Sequence, residues 1–65
     1  MLPSNRFQEA IARRRGRIVV KSGAIVAWRG AYSRWIVYSP TGHYAGSVDT
    51  YSQAVTYANR TPWAA

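Results

Sequence analysis

The stretch that decides the fold is residues 33–60, SRWIVYSPTGHYAGSVDTYSQAVTYANR. Residues 34–39 are mostly β-branched or aromatic, which a half-buried strand favours. Pro40-Thr41-Gly42 follows, a sequence that predicts a type I turn whose glycine takes a positive φ. We therefore expect two antiparallel strands joined by a tight turn and followed by a helix.

The turn also predicts how the two strands pair. With Gly42 as the bulge residue, an uninterrupted register runs back from the turn. Its pairs are Ser39 with His43, Tyr38 with Tyr44, Val37 with Ala45, and Ile36 with Gly46. One face of the sheet then carries Trp35, Val37, Ala45 and Ser47. The other face carries Arg34, Ile36, Tyr38, Tyr44 and Gly46.

A helix is predicted directly after the second strand. Thr50 and Gln53 have the spacing of a capping box, in which the threonine oxygen accepts a hydrogen bond from a free backbone amide. The apolar positions that follow have helical spacing and form one stripe. They are Tyr51, Ala54, Val55 and Ala58. Pro62 should end the helix near Arg60 or Thr61.

The residues before this stretch are β-like in two places, 18–21 and 24–29. Ser22-Gly23 can close a hairpin between them. Alternatively, this dipeptide forms only a kink or bulge in one long edge strand. We expect a three-stranded sheet, with residues 18–21 as a fourth strand or an extension of it.

The predicted fold is α+β: a three-stranded or four-stranded antiparallel sheet with a C-terminal helix packed on one face, preceded by a short basic N-terminal helix or arm. We expect a single small domain. Its parts are the helix or arm at residues 1–17, a β-β-β-α core at 18–61 and a tail at 62–65, in which Trp63 folds back onto the domain.

Composition limits both the core and the partners. A chain of 65 residues without cysteine lies near the lower size at which a hydrophobic core is stable without disulfide bonds or a bound metal. Dimerisation is therefore one possibility. The formal charge is +7, and eight of the nine basic residues are arginine. Such a charge indicates nucleic acid, an acidic protein or an anionic membrane surface as partner. Arginine favours phosphate and guanine edges, although a GC-rich genome also encodes it often.

Catalysis has few residues to use, because the chain holds one His, one Asp and one Glu. We expect neither an enzyme nor a metal or cofactor site. No apolar run approaches the ~18 residues of a membrane span, and the amino terminus lacks a secretory signal. We therefore expect a cytoplasmic protein, associated with the nucleoid if it binds DNA.

A basic, aromatic surface remains as the candidate site. The terminal helix covers one face of the sheet, and the other face can enter a major groove. That face would carry Arg34, Tyr38 and Tyr44, with Arg29 or Trp28 from the preceding strand. Guanidinium and hydroxyl groups there can contact phosphates and base edges. The alternative is a hydrophobic face around Ile36 that the amino-terminal helix or a second copy of the chain covers.

Four arginines within five residues form a second candidate site. They are Arg13, Arg14, Arg15 and Arg17. This composition is typical of an arm that inserts arginine into a narrow minor groove, where the negative potential is enhanced. The alternative is a solvated, charged end of a helix.

Residues 24–60 resemble a known family. The features are Trp28-Arg29 ending one strand, Arg34-Trp35 opening the next, the Pro-Thr-Gly turn, Gly46 with Asp49-Thr50, and Ala54, Tyr57 and Ala58 in the helix. Together they resemble the three-stranded DNA-binding domain of plant ethylene-response factors. The amino-terminal arm-binding domains of phage-type tyrosine integrases are similar.

This resemblance implies that the sheet lies in the major groove. It implies contacts from Arg29, Arg34, Tyr38 and Tyr44. It implies core positions at Trp35, Val37, Ala45, Val48, Ala54 and Ala58. The chain departs from the family in having few arginines on the first strand and an apolar Ile36 where a polar contact is expected.

The resulting hypothesis is a small basic protein that binds duplex DNA, as an accessory or regulatory factor of a phage or mobile element. A protein-interaction module is the alternative, such as a phage-encoded inhibitor that applies the tyrosine-rich face to an acidic host protein. RNA binding is a third option, because exposed tyrosines can stack on unpaired bases.

Overall fold

The computed structural model describes residues 4–63, which form a four-stranded antiparallel sheet and two helices. The elements in chain order are helix α1 (Ser4–Arg15), strands β1 (Arg17–Val19), β2 (Ile25–Arg29), β3 (Arg34–Tyr38) and β4 (Tyr44–Val48), and helix α2 (Tyr51–Arg60). The strands follow one another in the sheet as they do in the chain. The α+β class is confirmed. Residues 1–3 of the predicted arm and 64–65 of the tail lie outside the described residues.

The β1–β2 and β3–β4 hairpins have the same type of turn. Gly23 N donates to Val20 O over 2.8 Å, and Gly42 N donates to Ser39 O over 2.9 Å. Gly23 and Gly42 have φ values of 93° and 92°. This left-handed conformation costs a residue with a side chain about 1–2 kcal/mol, which explains the glycine in each turn. The alternative in which Ser22-Gly23 closes a hairpin is confirmed, because β1 pairs with β2. The turn is one residue longer than this dipeptide.

The predicted register of β3 and β4 is correct only next to the turn. Tyr38 pairs with Tyr44, as expected. Beyond that pair a β-bulge intervenes, and the later pairs are Val37 with Gly46, Ile36 with Ser47, and Trp35 with Val48. The predicted pairs of Val37 with Ala45 and Ile36 with Gly46 are wrong. The faces of Gly46 and Ser47 are exchanged relative to the prediction, because a shift of one residue reverses the side of the sheet.

The bulge residue is Ala45, and Tyr57 of α2 explains its position. The Tyr57 hydroxyl donates to the carbonyl of Ala45 over 2.9 Å. The ring of Tyr57 lies so close to Gly46 that a Cβ there would be 2.9 Å from Tyr57 Cε2. Gly46 must therefore face α2, since only glycine leaves room for this ring.

Both helices pack on the same face of the sheet. The buried cluster contains Val26, Trp35 and Val37 from the strands, Tyr51, Ala54 and Ala58 from α2, and Ala12 from α1. The Trp28 and Trp35 rings lie 4.7 Å apart on this face. The alternative that placed Trp28 on the uncovered face is therefore wrong. The alternative in which α1 covers the far side of the sheet is also wrong, because Ala12 belongs to this cluster.

The ends of α2 are fixed as the sequence predicts. Gln53 N donates to Thr50 Oγ1 over 3.1 Å, and the helix ends at Arg60. Trp63 folds back, and its Nε1 donates to the carbonyl of Ala58 over 2.8 Å. Ser22 Oγ donates to the same carbonyl over 2.8 Å, which ties the β1–β2 hairpin to α2. Among residues 4–63, neither helix has the length and apolar character needed to cross a bilayer.

Candidate nucleic-acid interface

The face of the sheet opposite the two helices is called the open face. Cross-strand partners share a face, so the register identifies its members. They are Arg17, Val19, Ile25, Ala27, Arg29, Arg34, Ile36, Tyr38, Tyr44 and Ser47. Neither helix packs on these strand residues, and apart from the buried Ala27 they are exposed or half-buried.

Positive charge dominates the open face. Arg29 and Arg34 are direct cross-strand partners, an arrangement that brings two like charges together. Arg34 forms an ion pair with Asp49 and donates to Ser47 Oγ over 3.3 Å. Asp49 and Glu9 are the only acids of the sequence, and Glu9 pairs with an arginine of α1. Among the described side chains, no carboxylate is therefore left to pair with Arg29.

The aromatic part of the site is the tyrosine pocket, a shallow cavity of about 290 Å³. Its lining consists of Arg29, Tyr32, Arg34, Ile36, Tyr38 and Tyr44. The rings of Tyr38 and Tyr44 meet edge to face, with centroids 6.4 Å apart. Tyr32 comes from the β2–β3 loop and is 72% exposed. Sequence reasoning missed Tyr32, because strand alternation does not specify the direction of a loop side chain.

A second cavity, the arginine groove, adjoins the tyrosine pocket. Its volume is about 540 Å³, and its lining is Arg15, Gly16, Arg17, Ile25, Ala27, Trp28, Arg29, Tyr38 and Gly42. Arg29 and Tyr38 line both cavities, so the two are direct neighbours on the protein surface. Gly16, with a φ of 88°, separates α1 from β1, and its neighbours Arg15 and Arg17 line the arginine groove.

The four arginines of the predicted arm do not act together. Residues 4–15 of the predicted arm form helix α1, which Ala12 docks on the core, whereas Arg17 belongs to strand β1 and not to the arm. Arg13 lies on the helix-covered side, with its guanidinium 4.6 Å from the Trp28 ring centroid and 2.7 Å from Glu9. Arg14 is exposed on α1 and does not line the arginine groove. The structure thus brings Arg15 and Arg17 to the other predicted residues and leaves Arg13 and Arg14 apart.

Comparison with protein-family models, curated proteins and solved structures finds no match to this chain. The open face must therefore be interpreted from its own chemistry.

His43 lies at the tip of the β3–β4 hairpin, with its Nδ1 3.0 Å from Thr41 Oγ1. Residues 4–63 contain no group of three His, Cys, Asp or Glu side chains that could hold a metal ion.

Proposed function

We propose that this chain binds duplex DNA with its open face, as a small accessory or regulatory protein of a phage or mobile element. The observation that carries the proposal is the combination of Arg17, Arg29 and Arg34 with three tyrosines on a face that neither helix covers. Guanidinium and hydroxyl donors of this kind contact phosphates and base edges.

The dimensions of the sheet fit a major groove. Three neighbouring strands span about 10 Å between the outer strand axes, since strands lie ~4.8 Å apart. A B-form major groove is about 12 Å wide. The backbones of the outer strands add to this span, so β3 lies at the centre of the groove with β2 and β4 against its walls, and β1 lies at its margin. Arg15 and Arg17 are at this edge of the sheet, and they then face the phosphates of one DNA strand.

The charges of the open face, together with Arg15 at the end of α1, are suited to those phosphates. Arg15, Arg17, Arg29 and Arg34 line the two cavities, and only Arg34 has a carboxylate partner among the described residues. About four phosphate contacts predict a slope of about −3.6 for log affinity against log salt concentration, because each contact contributes about −0.9.

Fluorescence anisotropy with a labelled mixed-sequence duplex tests this proposal. We expect Arg17→Ala/Arg29→Ala to lower the affinity and to reduce the salt slope to about −1.8, since two phosphate contacts are lost. The matched control is Arg6→Ala/Arg60→Ala, which removes the same charge from exposed positions of α1 and α2. It should keep a slope near −3.6.

Two results would contradict the proposal. Equal effects of the two double variants would mean that net charge, and not the open face, drives binding. No binding to the duplex at low salt would remove the DNA proposal altogether. Parallel titrations with single-stranded DNA and with RNA show whether either binds more tightly, in which case the partner is an unpaired strand.

A protein partner is the second candidate, and one observation favours it. Val19 and Tyr44 on the open face are 69% and 66% exposed, a larger apolar surface than phosphate binding requires. A protein surface that combines carboxylates with apolar side chains would match both the cationic and the apolar groups of the open face. This candidate predicts that the chain binds none of the three nucleic acids in the titrations.

A further inference from the structure

The tyrosine pocket contains an apolar group where a DNA-binding sheet needs a polar one. Ile36 lies in the middle of β3, between Ala27 and Ser47, and it is only half-buried. The rings of Tyr38 and Tyr44 stand beside it, and Arg29 and Arg34 lie at the next level of the open face. The pocket is thus an apolar patch with two guanidinium groups at its rim.

The major groove offers one apolar group to such a patch. Guanine, adenine and cytosine present only hydrogen-bond donors and acceptors there, whereas thymine presents its C5-methyl group. An isoleucine pressed against a polar base edge would desolvate that edge without replacing its hydrogen bonds, which is unfavourable. A methyl group instead gains from leaving water.

We propose that the tyrosine pocket receives the C5-methyl group of thymine, with Ile36 as its main contact. This inference rests on the proposed binding of duplex DNA and specifies the base that the open face prefers. Arg29 and Arg34 hold the neighbouring phosphates or guanine edges and so position the groove over the pocket. Ile36 is then a specificity-determining residue.

Removing the methyl group from the DNA tests the inference on the unchanged protein. The probes are a 20-base-pair duplex of alternating dA and dT, and the same duplex with deoxyuridine in place of thymidine. We expect about fourfold weaker binding to the deoxyuridine duplex, the effect of one methyl group that no longer leaves water. Alternating dG and dC, with and without 5-methylcytosine, provides the converse test, since methylation should strengthen binding.

Two variants assign the effect to the pocket. Ile36→Ala should bind the thymidine duplex and the deoxyuridine duplex with equal affinity. Val19→Ala removes an exposed apolar side chain from the same face but outside the pocket, so it should keep the full preference for thymine. Circular dichroism confirms that each variant is folded.

The outcomes separate this inference from the proposal on which it rests. Equal binding of the unchanged protein to the dT and deoxyuridine duplexes overturns the thymine inference and leaves DNA binding intact. A preference for thymine that survives in Ile36→Ala also overturns it, because the preference then comes from elsewhere. Failure to bind any duplex removes both.

Discussion

Gly46 allows the strand register to be tested by stability alone. It faces α2, and an added Cβ would lie 2.9 Å from Cε2 and 3.1 Å from Oη of Tyr57. In Gly46→Ala the ring must move, which breaks the hydrogen bond from Tyr57 to the carbonyl of Ala45. Overpacking costs about 1–3 kcal/mol, and an unpaired carbonyl costs a similar amount. We expect the free energy of unfolding to fall by about 2–4 kcal/mol.

Tyr57→Leu removes the ring atoms nearest to Gly46 and keeps an apolar residue in α2. In that background the new methyl group has room. Replacing glycine also lowers the entropy of the unfolded chain, which is worth about 0.4–1 kcal/mol. The cost of Gly46→Ala should therefore disappear, so that the two positions are coupled by at least about 2 kcal/mol.

Urea unfolding of the four proteins, followed by tryptophan fluorescence, measures this coupling. Sucrose at one concentration in every sample keeps the least stable variant folded. If the β3–β4 register had no bulge, Gly46 would lie on the open face and alanine would have the same small effect in both backgrounds. A coupling below ~0.5 kcal/mol would thus refute the bulge at Ala45.

Two further predictions concern the helix-covered side. Arg13→Ala should lower the free energy of unfolding by about 0.5–1 kcal/mol, because Arg13 stacks on Trp28. It should weaken duplex binding less than Arg17→Ala does at the same salt concentration; an equal loss in anisotropy titrations would contradict this. Burial, and secondarily Glu9, raises the pKa of Tyr51. The folded state therefore favours the neutral hydroxyl, and its contribution to stability is complete below about pH 10 and lost as the pH rises through the folded-state pKa. Tyr51→Phe should lose less stability than the unchanged protein between pH 7 and pH 11 in urea unfolding; parallel losses would refute this.

The elements of this fold follow from local sequence, which is why most of them are predictable. Gly42 takes the positive φ that its turn requires, and Thr50 caps α2. Alternating apolar residues place Trp35 and Val37 in the core, as expected. Each of these features depends on residues that are only a few positions apart in the sequence.

The features that escaped prediction depend on distant contacts. At the bulge, the carbonyl of Ala45 accepts a hydrogen bond from the hydroxyl of Tyr57, which is twelve positions away in the sequence. The side on which α1 docks is set by Ala12, whose small side chain gives little sequence signal. Arg13 is part of a run of arginines in the sequence. In the structure it stacks on Trp28 and so lies apart from Arg15 and Arg17.

The tyrosines allow the most direct test of the central claim, because they divide between the two sides of the sheet. Tyr32, Tyr38 and Tyr44 line the tyrosine pocket, whereas Tyr51 and Tyr57 pack on the helix-covered side. Incorporation of 3-fluorotyrosine gives one fluorine resonance for each residue, and single Tyr→Phe variants assign them. On titration with duplex DNA, the resonances of Tyr32, Tyr38 and Tyr44 should shift and those of Tyr51 and Tyr57 should stay in place. Shifts confined to Tyr51 and Tyr57, or no shift at a DNA concentration that saturates binding, would show that the open face is not where the DNA lies.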